Sequence, residues 1–84
     1  MKLLHWEDFY EDTPGLRRYV LGGLRGKPVE ILYAALAEIE YITQCRNLNN
    51  NSLVTLDKKY YGFVLTVEKS WLTLIAGWIR AEIK

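Results

Sequence analysis

Apolar residues recur along this chain at two different spacings, and the changes between them mark out its elements. From Ser70 to Lys84 a helix drawn at about 100° per residue gathers Trp71, Leu72, Ile75, Ala76, Ile79 and Ile83 on one side, and Trp78, Leu74 and Ala81 continue past them. Thr73, Gly77, Arg80 and Lys84 form the polar stripe. The apolar arc is thus roughly 220° wide, about twice what a surface helix needs to reach its core. Ser70 is the candidate N-cap. Such a helix is central to its domain or has a partner.

The remaining elements are those that must cover it. Between Val29 and Arg46, Ile31, Leu32, Ala35, Leu36, Ile39 and Ile42 share one face opposite Glu30, Tyr33, Ala37, Glu40 and Gln44, which predicts an amphipathic helix of about five turns. Thr13-Pro14 reads as an N-cap followed by the first helical position, and Leu16, Tyr19, Val20 and Leu24 then recur at helical intervals, so a first helix runs from about 14 to 21–25. Gly26-Lys27-Pro28 separates the two helices. Asn47 to Ser52 reads as a loop. Leu53–Leu56 and Tyr60–Val67 are β-branched and aromatic with period 2, and Asp57-Lys58-Lys59 between them predicts a hairpin. Its core face is Tyr61, Phe63, Leu65 and Val67. A lone hairpin is marginal in water, and residues 2–6 are the spare candidate for a third strand.

The expected architecture is therefore one α+β domain over residues 1–84 in the order α-α-β-β-α. Two or three antiparallel strands pack on helices, with the strongly apolar last helix between the second helix and the hairpin. At 84 residues there is room for one core. Eleven Lys and Arg against ten Asp and Glu leave a net charge of +1, without the basic excess usual in nucleic-acid binders. Trp71 to Ile79, the longest apolar window, is half a membrane span, and the N-terminal residues turn acidic before a signal-peptide core forms. Cys45 is the one cysteine, expected at least partly buried and chemically quiet, which suits a reducing compartment. The chain is read as cytoplasmic.

Candidate chemistry is sparse. His5 has no nearby cysteine, serine or second histidine to work with, and is read as a partly buried histidine with one hydrogen bond. Cys45 and His5 are too few ligands for zinc, so no metal and no cofactor are expected, and no catalytic residues are assigned. Leu21 to Pro28 lacks both the leading glycine and the hydroxyl of a phosphate-binding P-loop. The same stretch resembles the glycine hairpin of helix-hairpin-helix DNA-binding proteins, but is a residue longer, and Pro28 removes a donor.

What remains points to recognition rather than catalysis. Six tyrosines and three tryptophans are too many for so short a chain to hide, and both types are enriched at interfaces. Trp78 and Leu74 lie on the flank of the last helix that needs a second surface, either the first helix or another chain. Arg17, Arg18 and Arg25 fall on the polar side of the first helix, and Lys58, Lys59 and Tyr60 are placed at the hairpin tip. The expected function is a small stand-alone protein-binding module of inhibitor, antitoxin, immunity or adaptor type, a size that would suit a phage or mobile-element gene, with a homodimer through the last helix as one form of partner. The alternative is a nucleic-acid-binding regulator that uses the arginines with Lys27, Lys58 and Lys59 against phosphates.

Overall fold

A computed structural model describes residues 3–84, and within it local chemistry places most elements close to where periodicity does. Helix α1 spans Thr13–Leu24. Its cap is Asp12 rather than Thr13: the Gly15 N–H donates to Asp12 Oδ1 at 3.1 Å, and Pro14 sits in the first turn, where its missing N–H costs nothing. Gly26, at φ +81°, turns the chain into helix α2, Val29–Cys45, whose buried residues are Ala35, Leu36, Ile39 and Ile42.

Strand β2, Leu53–Leu56, follows the asparagine loop and pairs antiparallel with β3, Val64–Glu68, in the register Val54 to Val67 and Leu56 to Leu65. The connection departs from the expected hairpin. Lys58–Tyr61 winds into a single helical turn, α3, closed by Gly62 in the left-handed region at φ +76°, so β3 begins at Val64 and not at Tyr60. The reason is packing: the turn drives the Tyr61 ring into the core, where it is 1% exposed and 5.3 Å from the Phe63 ring. Tyr61, Phe63, Leu65 and Val67 all face inward as the period-2 pattern requires, although the first two precede the strand.

A third strand, β1, spans Leu3–His5, and the other residue of that candidate at the N-terminal side, Lys2, lies outside the described residues. It joins the free edge of β3 in parallel, Leu4 opposite Leu65, so the sheet is mixed in the order β1-β3-β2 rather than wholly antiparallel. The inward face carries Leu4, Val54, Leu56, Leu65 and Val67. The outward face carries Leu3, His5, Leu53, Thr55, Val64, Thr66 and Glu68, none of them buried, with Thr55 and Thr66 hydroxyls 3.1 Å apart. His5 is exposed and not half-buried, because it points away from the helices.

Helix α4 spans Leu72–Ile83 and follows a 3-10 turn at Lys69–Trp71. Ser70 does not cap it. The Ser70 and Lys69 N–H groups donate instead to the carbonyls of Asn50 and Ser52, and Lys69 Nζ to that of Leu48, which ties the asparagine loop to the start of α4. Leu72, Ile75, Ala76 and Ile79 form the buried face, while Trp71 is only partly buried at the turn. α4 lies between α1 and α2 in one helical layer over the sheet, with Arg25 on Glu82 at 3.3 Å on one flank and Arg80 on Glu40 at 2.8 Å on the other. Two-layer α+β packing of this kind leaves the outer face of all three helices in solvent.

Candidate functional site

The flank of α4 that sequence periodicity leaves uncovered opens onto a groove. Thr13, Pro14, Arg17, Arg18, Leu21 and Arg25 of α1 and its C-cap face Trp78 of α4 across a depression of about 550 Å³. Arg17, Leu21 and Arg25 recur every four residues, so they form one row along α1, with Arg18 beside it. Leu21 is buried and forms the apolar floor, and Trp78 is a partly buried wall. α1 runs unbroken through Gly22-Gly23 to Leu24 and still covers only part of that flank.

The electrostatics of the groove follow from how its neighbours are occupied. Asp12, at the N-terminal end, is committed to capping α1. Glu82 is committed to Arg25, not to Arg80, because residues two apart diverge around a helix. Arg17 and Arg18 are exposed and form no salt bridge among the described residues. Two free guanidinium groups therefore stand over an apolar floor beside an indole. Guanidinium is weakly hydrated and offers a planar fork of donors, which suits carboxylate or phosphate on a partly dehydrated surface.

Of the residues nominated from sequence, Trp78, Arg17, Arg18 and Arg25 come together here. Leu74, 46% exposed, lies one helical turn before Trp78 on the outward side of α4. Lys58, Lys59 and Tyr60 do not join them. They sit on α3, with Lys59 Nζ 5.1 Å above the Tyr60 ring, and no hairpin tip exists for them to decorate. The Lys59 ammonium is held above its ordinary value, first by a hydrogen bond to the Tyr60 side chain and then by charge on Tyr60. A second depression, lined by Arg18, Tyr19, Gly22, Gly23, Tyr61, Gly62 and Phe63, separates α3 from the groove.

Of the described residues, three strongly exposed aromatics, Tyr10, Tyr33 and Tyr41, are not among those that the sequence points to, and two of them share one helix. Tyr33 and Tyr41 are 55% and 60% exposed on the outward side of α2, and Ala37 lies between them at helical spacing. Their signal was legible as an aromatic stripe on the polar face. Cys45 is exposed at the last turn of α2 and not partly buried, since the helix ends there and no element packs over it. No group of three or more His, Cys, Asp or Glu side chains gathers to hold a metal among the described residues, and no helix is long and apolar enough to cross a membrane. Comparison with protein-family models, curated protein sequences and solved structures returned no match.

Proposed function

We propose that this chain is a small protein-binding module that acts by masking a partner surface, with the α1–α4 groove as the centre of its contact. One observation supports the reading above the others: Trp78 and three arginines from a distant part of the chain border a single groove, and two of the arginines have no carboxylate partner among the described residues. Tryptophan and arginine are the side chains most often found to dominate interface energies, and a partly desolvated pocket is where they do so. The partner's matching segment is acidic with an apolar anchor. The module works without a cofactor and is not an enzyme. The free Cys45 thiol, open to solvent, suits the reducing conditions of a cytoplasm.

Affinity capture from the source cells with three baits tests this: wild type, Trp78→Glu, and the double variant Arg17→Glu/Arg18→Glu. A protein retained by wild type and released by both variants, at low and at raised salt, is the expected result. Capture that both variants leave intact would remove the groove from the function. Retained nucleic acid that falls away steeply with salt would favour the phosphate-binding alternative, since counterion release makes such binding strongly salt-dependent.

A further inference from the structure

The helical layer is polarised in charge across its width. α1 and its C-cap carry Arg17, Arg18 and Arg25 with no carboxylate from Thr13 onward, and α2 carries Glu30, Glu38 and Glu40 with no basic residue before its C-cap. α4 separates the two and is matched to each, Glu82 on the basic side and Arg80 on the acidic side. The outward surface is also where unburied apolar side chains collect. Of the seven large hydrophobics that are strongly exposed among the described residues, Val29, Tyr33, Tyr41 and Leu74 belong to α2 and α4. Between them α4 presents Gly77 and Ala81, both exposed, and a side chain at Gly77 would meet nothing within 4 Å. The isolated chain gains nothing from a glycine there, since glycine in a helix interior costs roughly 1 kcal/mol relative to alanine.

We infer that this face is a homodimer interface, in which α4 packs in parallel beside α4 of a second copy, about a twofold axis running along the helices. The orientation follows from charge. A twofold axis in the plane of the contact has two limiting directions. Laid across α4, it sets α1 over α1 and α2 over α2, so that the unpaired Arg17 and Arg18 lie over the same helix of the other copy, and so does Glu30, whereas Glu40 is already neutralised by Arg80. Laid along α4, it sets α1 of each copy over α2 of the other, and the basic and acidic edges meet twice. The second arrangement is complementary in potential, with the small residues of α4 at the centre. Three helices at the usual spacing of about 9 Å present roughly 600 Å² in projection, which is the scale of a standard interface at about 800 Å² of accessible surface per partner.

The dimer shares its surface with the proposed partner site but needs no foreign protein, so either can fail without the other. It also makes partner binding and self-association mutually exclusive. Purified protein decides the matter by sedimentation over a range of concentrations. Wild type is expected to form dimers. An α1 variant, Arg17→Glu/Arg18→Glu, and an α2 variant, Glu30→Arg, which leaves the Arg80–Glu40 pair in place, are each expected to weaken the dimer several-fold, and an equimolar mixture to restore most of it. In a Cys45→Ser background, Leu74→Cys and Ala81→Cys should each cross-link to their own counterpart. Both positions lie on the axis only when the helices are parallel, and a disulfide needs Cα atoms within about 7 Å. A monomeric wild type overturns the inference, as does a mixture that stays monomeric or grows beyond a dimer. Cross-linking at one of the two cysteines alone would overturn the parallel arrangement. Should a charge-reversed variant fail to fold, Leu74→Glu serves in its place and is expected to be monomeric.

Discussion

Tyr61 carries a phenol into a place where its ionised form is poorly solvated. Its hydroxyl donates to the Ala35 carbonyl at 3.5 Å, and burial pushes its pKa well above the ordinary tyrosine value, with the negative charge of Glu38 adding to the effect. In the unfolded chain the same group ionises near pH 10. Folding therefore favours the protonated form, and its contribution is complete below about pH 10 and lost as the pH rises further. The expected loss from this group is about 1.4 kcal/mol per pH unit above that point. Denaturant melts of wild type and Tyr61→Phe at about pH 9 and pH 11 check it: the wild type should lose more than the variant, and equal losses would contradict it. Burial also ranks the side chains of the last helix. Ile75 is fully buried, so Ile75→Ala should cost about 2–5 kcal/mol of the ~4–12 kcal/mol available to a domain of this size. Trp71, partly buried at the 3-10 turn, should cost less when cut to alanine, and the reverse order in a pair of urea melts would mean that its ring is the true anchor.

At the scale of elements, α1 contains two adjacent glycines with opposite roles. A Cβ on Gly23 would fall inside contact distance of the Tyr61 carbonyl oxygen and the Phe63 ring, so the glycine is what lets α1 approach α3 and β3. The backbone carbonyl has no easy way to move, and Gly23→Ala should destabilise by about 1–3 kcal/mol. Gly22 has open space on every side, and Gly22→Ala should stabilise by about 0.5–1 kcal/mol through helix propensity alone. Thermal melts of the two single variants should move in opposite directions. A shared direction would mean that something other than this contact sets the response of the pair. The elements themselves were largely legible: α2 follows its apolar face to within a residue, and α1 begins one residue before the Thr13-Pro14 reading because Asp12, not Thr13, takes the cap. The exceptions have physical causes. Ser70 was a sound capping residue on local grounds, but its backbone N–H is drawn to Asn50, so the chain first makes a 3-10 turn. Lys58 to Tyr61 read as connection and strand because their β-type residues are also the ones that a buried aromatic corner needs.

Across the whole molecule, the longest-range decision is the pairing of β1 with β3. Leu4 is 4% exposed and lies opposite Leu65, so a three-residue strand from the start of the chain closes one side of the core. Leu4→Ala is expected to cost about 2–5 kcal/mol, comparable with a substitution in the central helix. A denaturation midpoint that did not move would mean that the sheet holds without its first strand. The candidate site has the same long-range character. Arg17, Arg18 and Trp78 were each nominated on local grounds, but nothing local said that they would share a groove or that Lys58 and Lys59 would be left out of it.

Amphipathic period, capping chemistry and turn residues act over a few neighbouring positions, and on those grounds the sequence by itself determined the α+β class, the extent of α2, the start of α1, the inward set from Tyr61 to Val67 and the surplus of apolar surface on the last helix. The tertiary structure alone decided the parallel placement of β1, because both edges of a central strand offer the same unpaired N–H and C=O groups, and only the route of the chain through α1 and α2 selects which strand reaches which edge. It also decided which charges remain free. Arg25 and Glu82 are far apart along the chain and cancel each other, as do Arg80 and Glu40, and what survives that cancellation at the groove is Arg17 and Arg18 beside Trp78. Coulomb attraction depends on distance through space, and periodicity along the chain carries no information about it.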